Sequence, residues 1–166
     1  MAPCAAHGAI TFYTSRSAFN AAAPGLPVDT FGPTLPYIPY PNDYFFHARP
    51  VNSSTNDSIF PTGSILPGLS ITTAAPVFES QAIKVEPIVG GNQVGTGTFE
   101  DKLILDFSPA VSALGFDLLG HVYSHPNFNG SVELTAFSGS TQLVFTTLPV
   151  TGQTFIGLTS SASNIT

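Results

Sequence analysis

Residues 131–148 read SVELTAFSGSTQLVFTTL, and this stretch decides the fold class. Val132, Leu134 and Ala136 alternate with polar neighbours, which places them on one face of a strand. The Gly/Ser run around Gly139 supplies a tight turn, and a second run rich in β-branched and aromatic residues follows. Two such runs around a small-residue turn predict a β-hairpin. The same pattern extends in both directions. Residues 68–74 (GLSITTA), 81–89 (QAIKVEPIV), 101–107 (DKLILDF), 111–120 (VSALGFDLLG) and 154–159 (TFIGLT) are strand candidates bounded by Gly, Pro, Ser and Asn. In 101–107, Leu103, Leu105 and Phe107 share a face. Short strands at this spacing predict an all-β chain, an antiparallel β-sandwich or jelly roll.

Upstream the pattern changes. Residues 9–13 (AITFY) alternate as a short strand. Ser15 is an N-cap candidate, the alanines that follow favour helix, and Pro24-Gly25 end it, which predicts one short N-terminal helix. Residues 26–31 (LPVDTF) read as a strand. Residues 32–67 are rich in Pro, Asn, Ser and Thr, and Pro cannot donate to a sheet ladder, so a central strand is excluded there. Yet Tyr37, Tyr40, Tyr44, Phe45 and Phe46 are too apolar for a solvated linker. A long ordered loop, packed on the body or on a partner, is expected. The whole chain, 1–166, reads as a single domain with an N-terminal arm over 1–13.

Charge narrows the functions. Only 8% of residues are charged, against about 25% in an average soluble protein. The four basic residues, Arg16, Arg49, Lys84 and Lys102, are scattered, so no basic patch exists to track a phosphate backbone. Nucleic-acid binding is not expected on that ground. No run reaches the roughly 18 apolar residues of a membrane helix. One cysteine, Cys4, allows no internal disulfide.

The stretches ITFYTSRSAFNAAAPGLPVDTF (10–31) and LDFSPAVSALGFDLLG (105–120), with VELTAFSGSTQLVFTTLPVTGQTFIGLTSS (132–161), resemble secreted bacterial proteins of the PEP-CTERM type. The resemblance implies a β-sandwich and an extracellular or cell-surface location. Family members carry an N-terminal signal and a C-terminal sorting helix, and continue past the FIGLTSS-like strand into closing strands. The matching stretches here have none of these, and Gly32 stands where the family places an early Glu. The resemblance therefore gives only weak support to a Ca²⁺ ion held by that Glu and a late Asp, and no other cofactor is expected.

No residue pattern specifies an active site. His121 and His125 have i,i+4 spacing, but they follow a strand and precede Pro126, so loop histidines are expected. Glu100, Asp101 and Asp106 read as a charged strand start that keeps an edge soluble. The Gly-rich run 89–99 lacks the lysine of a phosphate loop and reads as a hairpin connection. There is no G-x-S-x-G elbow. The chain is not expected to be an enzyme. Asn52, Asn56, Asn129 and Asn164 head N-x-S/T triplets and are candidate glycosylation sites.

Two functions remain. A chain ending in TFIGLTSSASNIT looks one strand short, which predicts an open edge. A neighbour's N-terminal arm would fill it, with Ile10 and Phe12 both facing the groove. Head-to-tail donation does not close, so the expected partner is self and the product an extracellular fibre or filament. The alternative is a carbohydrate-binding module of an extracellular matrix, with Tyr37, Tyr40 and Tyr44 stacking on polysaccharide.

Overall fold

The computed structural model describes residues 8–29, 31–32, 45–48, 50–74, 82–88, 91–96, 102–119 and 129–166. They are mostly strand, with one short helix and several antiparallel sheets. The chain divides into two compact units. Unit 1 combines Met1–Leu26 with Pro109–Thr166, and unit 2 is Pro27–Ser108. The stretch read as one domain contains both.

In unit 1 the predicted N-terminal strand and helix form. Strand β1 is Ile10–Tyr13, and helix α1 is Arg16–Ala22. The Ser15 hydroxyl accepts from Ala18 N at 3.4 Å, and Ala23 N closes the last turn on Phe19 O at 2.8 Å. Seven residues are too few to hold a helix alone, so tertiary packing must supply its stability. Phe19 supplies it, at 4% exposure. Burying such a ring contributes about 1.5–3 kcal/mol.

In unit 2, β2 (Phe45–Ala48), β3 (Val51–Asn52), β4 (Leu69–Ala74), β5 (Ala82–Ile88), β6 (Gly91–Thr96) and β7 (Lys102–Phe107) form two sheets, ordered β2-β5-β6 and β3-β4-β7. One apolar cluster draws on both: Val51, Leu69 and Ile71 from one sheet, Ile83 and Val85 from the other, with Phe60 and Ile65 from the loop between. Alternation places Leu69, Ile71 and Thr73 on the buried face of β4. The stretch 32–67, expected as a loop, contributes two short strands among its described residues, β2 and β3; each lies at a sheet edge and neither contains a proline. Pro87 has no donor to give a ladder, and β5 pairs with β2 only as far as Val85.

Three sequence expectations are corrected in unit 2. The described residues of 26–31, namely 26–29 and 31, form no strand. Asp29 instead accepts from Phe31 N at 2.8 Å and Leu66 N at 2.9 Å, and Phe31 takes φ 54. A side chain that bonds nearby amides offers the backbone an alternative to a ladder. The Gly-rich connection contains a strand, β6, because its backbone completes a ladder with β5. Leu103 does not join Leu105 and Phe107 on the core and stays 38% exposed.

The rest of unit 1 is β8 (Ala113–Leu119), β9 (Asn129–Ser138), β10 (Thr141–Thr151) and β11 (Gln153–Ser160). The predicted hairpin is β9–β10, turning at Gly139 with φ 56. The second sheet runs β1-β11-β8. Ile156 and Leu158 of that sheet meet Ala136 of the hairpin, with Ile10, Phe116, Leu118, Leu134, Val144 and Leu148 around them. The last residues continue the fold: Ile165 bridges Val111, and Thr166 N donates to Phe137 O at 3.0 Å.

Candidate functional site

The N-terminal arm lies beside the strand that the sequence left open. β1 runs antiparallel to β11, with Ile10 opposite Ser160, Thr11 opposite Thr159, Phe12 opposite Leu158 and Tyr13 opposite Gly157. Ala9 extends the pairing, donating to Ser161 Oγ at 2.9 Å and accepting from Ser161 N at 3.1 Å. The arm of this copy thus occupies the edge of its own β11. Cross-strand partners share a face, so Ile10 and Phe12 lie on the side of buried Leu158. Ile10 packs on the cluster, whereas Phe12 stays 38% exposed.

The opposite face of this sheet carries α1. Gly115 and Gly157 are cross-strand partners, and together they leave a notch with no Cβ. Phe19 lies in it. A Cβ on Gly157 would stand 2.5 Å from Phe19 Cδ2, and one on Gly115 would stand 2.7 Å from Phe19 Cε1. Both distances are inside contact range, so any other residue at either position displaces the ring. Tyr13 meets Phe19 edge-on at 5.8 Å, and the Phe155 ring lies 5.5 Å from it. Arg16 caps the arrangement. Its guanidinium stands 4.5 Å over the Phe155 ring and pairs with Asp117. Arg16 is half-exposed, so the ion pair itself contributes little and mainly orients the side chain.

A polar pair stands apart in unit 2. His47 Nε2 lies 2.5 Å from Asp57 Oδ2, and the His47 ring meets Phe60 edge-on at 5.1 Å. Asp57 Oδ1 also accepts from Ile59 N at 2.8 Å and Phe60 N at 2.9 Å. Burial pushes the Asp57 carboxyl up, but the Phe60 amide, the His47 ring and the Ile59 amide outweigh it and hold the pKa below the ordinary value. Oδ1 holds the turn at 57–60 and Oδ2 ties that turn to His47 of β2. Among the described residues, no three His, Cys, Asp or Glu side chains gather as metal ligands, and no helix is long and apolar enough to cross a membrane.

The other predicted site residues are dispersed. Tyr37, Tyr40 and Tyr44 lie outside the described residues, as do His121, His125, Glu100 and Asp101. Asn52 accepts from Ser54 N at 2.9 Å within a turn, and Asn56 is exposed and accepts from Thr62 N at 3.3 Å. Asn129 opens β9, and Asn164 accepts from the Ser160 hydroxyl at 2.6 Å. Phe19, Gly115, Gly157, Asp117 and Phe155 were not anticipated. A signal was present in ALGFDLL and TFIGLT, where a glycine interrupts an apolar strand and marks close approach of another group. No family model, no curated protein and no solved structure matches this chain.

Proposed function

We propose that this protein is an extracellular structural subunit that builds a fibre or filament with copies of itself by strand donation, on a β-sandwich scaffold. The observation that carries this reading is β1. It is a four-residue edge strand whose hold on β11 is a backbone ladder, one core side chain, Ile10, and a long 3.4 Å contact between the Tyr13 and Thr159 hydroxyls. A ladder of that kind is indifferent to which copy supplies the strand. Two features support the reading. The chain carries few charges, and Phe137 (41%) and Phe145 (51%) stay exposed on the hairpin. Register puts both rings on the face away from the cluster, where they offer apolar contact to a neighbour. The shared cluster of the β1-β11-β8 sheet and the hairpin supports the sandwich, and the PEP-CTERM-type resemblance supports the location. Light scattering on a size-exclusion column and negative-stain microscopy test the proposal. Concentration-dependent linear assemblies are expected; a monodisperse monomer at every concentration, with residues 1–13 intact, overturns it. The glycan-binding alternative rests on Tyr37, Tyr40 and Tyr44. A glycan array on which their replacement by Ala changes nothing removes it.

A further inference from the structure

Unit 2 enters and leaves at one place. Near its start, Asp29 accepts from Leu66 N at 2.9 Å, and at its end Ser108 N donates to Gly68 O at 2.8 Å. Both ends are therefore anchored on residues 66–68, the arrangement of an inserted domain with neighbouring termini. For unit 1 this has a covalent consequence. Its N-terminal segment connects to Pro109–Thr166 only through all of unit 2. Within unit 1, β1 and α1 are held on β11 and β8 by non-covalent contacts alone. These include the β1 ladder, Ile10 on the cluster, the Tyr13 hydroxyl on that of Thr159, Phe19 in the Gly115–Gly157 notch, and Arg16 on Asp117 and Phe155.

Resting on the self-assembly reading, we infer that the donated element is β1 together with α1, and that its acceptor is the β11–β8 face of a second copy. Two features set the limits of the element. Only Thr14 and Ser15 separate strand from helix, and the Tyr13–Phe19 ring contact ties them together, so giving up β1 alone would break it. Beyond α1 the chain is loosely held. Gly25 takes φ 72, Leu26 is 39% exposed and Val28 is 75% exposed, which suits residues 23–28 to act as the hinge. Exchange through that hinge rebuilds every unit 1 contact, with Phe19 filling the second copy's glycine notch. The balance between own-chain and neighbour-chain docking then depends on concentration. For a short flexible connection the effective concentration is on the order of millimolar. Head-to-tail exchange is open-ended and lengthens a filament, in which each unit 2 becomes the covalent link between one junction and the next.

The test uses full-length chains in a Cys4→Ser background. Thr11 and Thr159 are cross-strand partners away from the core. The double variant Thr11→Cys/Thr159→Cys, oxidised in dilute solution, should close within one chain, which establishes that the two thiols can pair. Chains carrying only Thr11→Cys are then mixed with chains carrying only Thr159→Cys, and every disulfide between them reports a donated segment. We expect at least about tenfold more of this heterodimer at about 1 mM than at about 10 µM. Filaments seen by microscopy with no interchain Thr11–Thr159 link overturn this inference and leave the self-assembly reading standing. Interchain links in closed dimers without filaments support the exchange and overturn the fibre. Neither links nor filaments at any concentration overturn both.

Discussion

The two units reach a similar strand content by opposite routes. Unit 2 is continuous in sequence, and it builds its core from neighbours: Val51, Phe60, Ile65, Leu69 and Ile71 all come from one short stretch. Unit 1 is split, and it pairs residue 10 with residue 160. Its buried cluster is smaller, and part of its packing is an aromatic ring laid over two glycines. Contacts close in sequence cost less loop entropy, so unit 2 can form as soon as it is synthesised. Unit 1 must wait for β11. A segment that docks last and from far away is also the one easiest to lend.

The comparison can be broken most forcefully in unit 2. Phe60→Ala removes a fully buried ring and should cost about 3–5 kcal/mol. Amide exchange should quicken in β4 and β5 and stay unchanged in β8–β11; equal loss in both units would erase the distinction. The matching cut in unit 1 is Gly157→Ala, which drives a Cβ against Phe19. Overpacking should cost about 1–3 kcal/mol and be read as faster exchange in β1 and α1.

A third change separates the units by pH. Because the Asp57 carboxyl is held below its ordinary value of 3.8, its contribution is complete above that value and is lost as pH falls through the lower folded-state pKa. Asp57→Asn should cost about 1 kcal/mol near neutrality. It should also flatten the acid limb of a unit 2 denaturation profile below pH 3.8, leaving the unit 1 profile in place. The smallest effect belongs to the helix cap. Ser15→Ala removes a long 3.4 Å bond, so a loss of about 0.5 kcal/mol, measured as a small drop in the denaturation midpoint of unit 1, is expected.

Much of the local structure was legible. The hairpin is announced by alternation around Gly139 and the helix by Ser15 and the alanines, whereas the short strands β2 and β3 fall in a stretch that the prolines make read as loop. Misreadings occurred where side chains or partners override local pattern. Asp29 takes the Phe31 amide that a strand at 26–31 would have needed, and β6 is a strand because β5 lies beside it, against the poor strand propensity of glycine. The insertion has no local signature: the Pro27 and Ser108 boundaries look like ordinary turns, and only tertiary contacts tie both to residues 66–68. In the candidate site, Ile10 and Phe12 were read as one face, which the register supports. The acceptor went unread because its defining feature is two missing side chains, brought together only when β8 meets β11.

That absence also checks alignment. β8 and β11 lie far apart in sequence, and backbone bonds alone would tolerate a shifted pairing. With Gly157 opposite Gly115, no Cβ stands in the space the Phe19 ring takes. A slip of one residue would set Leu114 or Phe116 opposite Gly157, reverse the faces of β8 and put a side chain where the ring must go. The helix can dock only on correctly matched strands, so Phe19 works as a proofreader, and the same gauge would admit a neighbour's segment only onto an acceptor already in register.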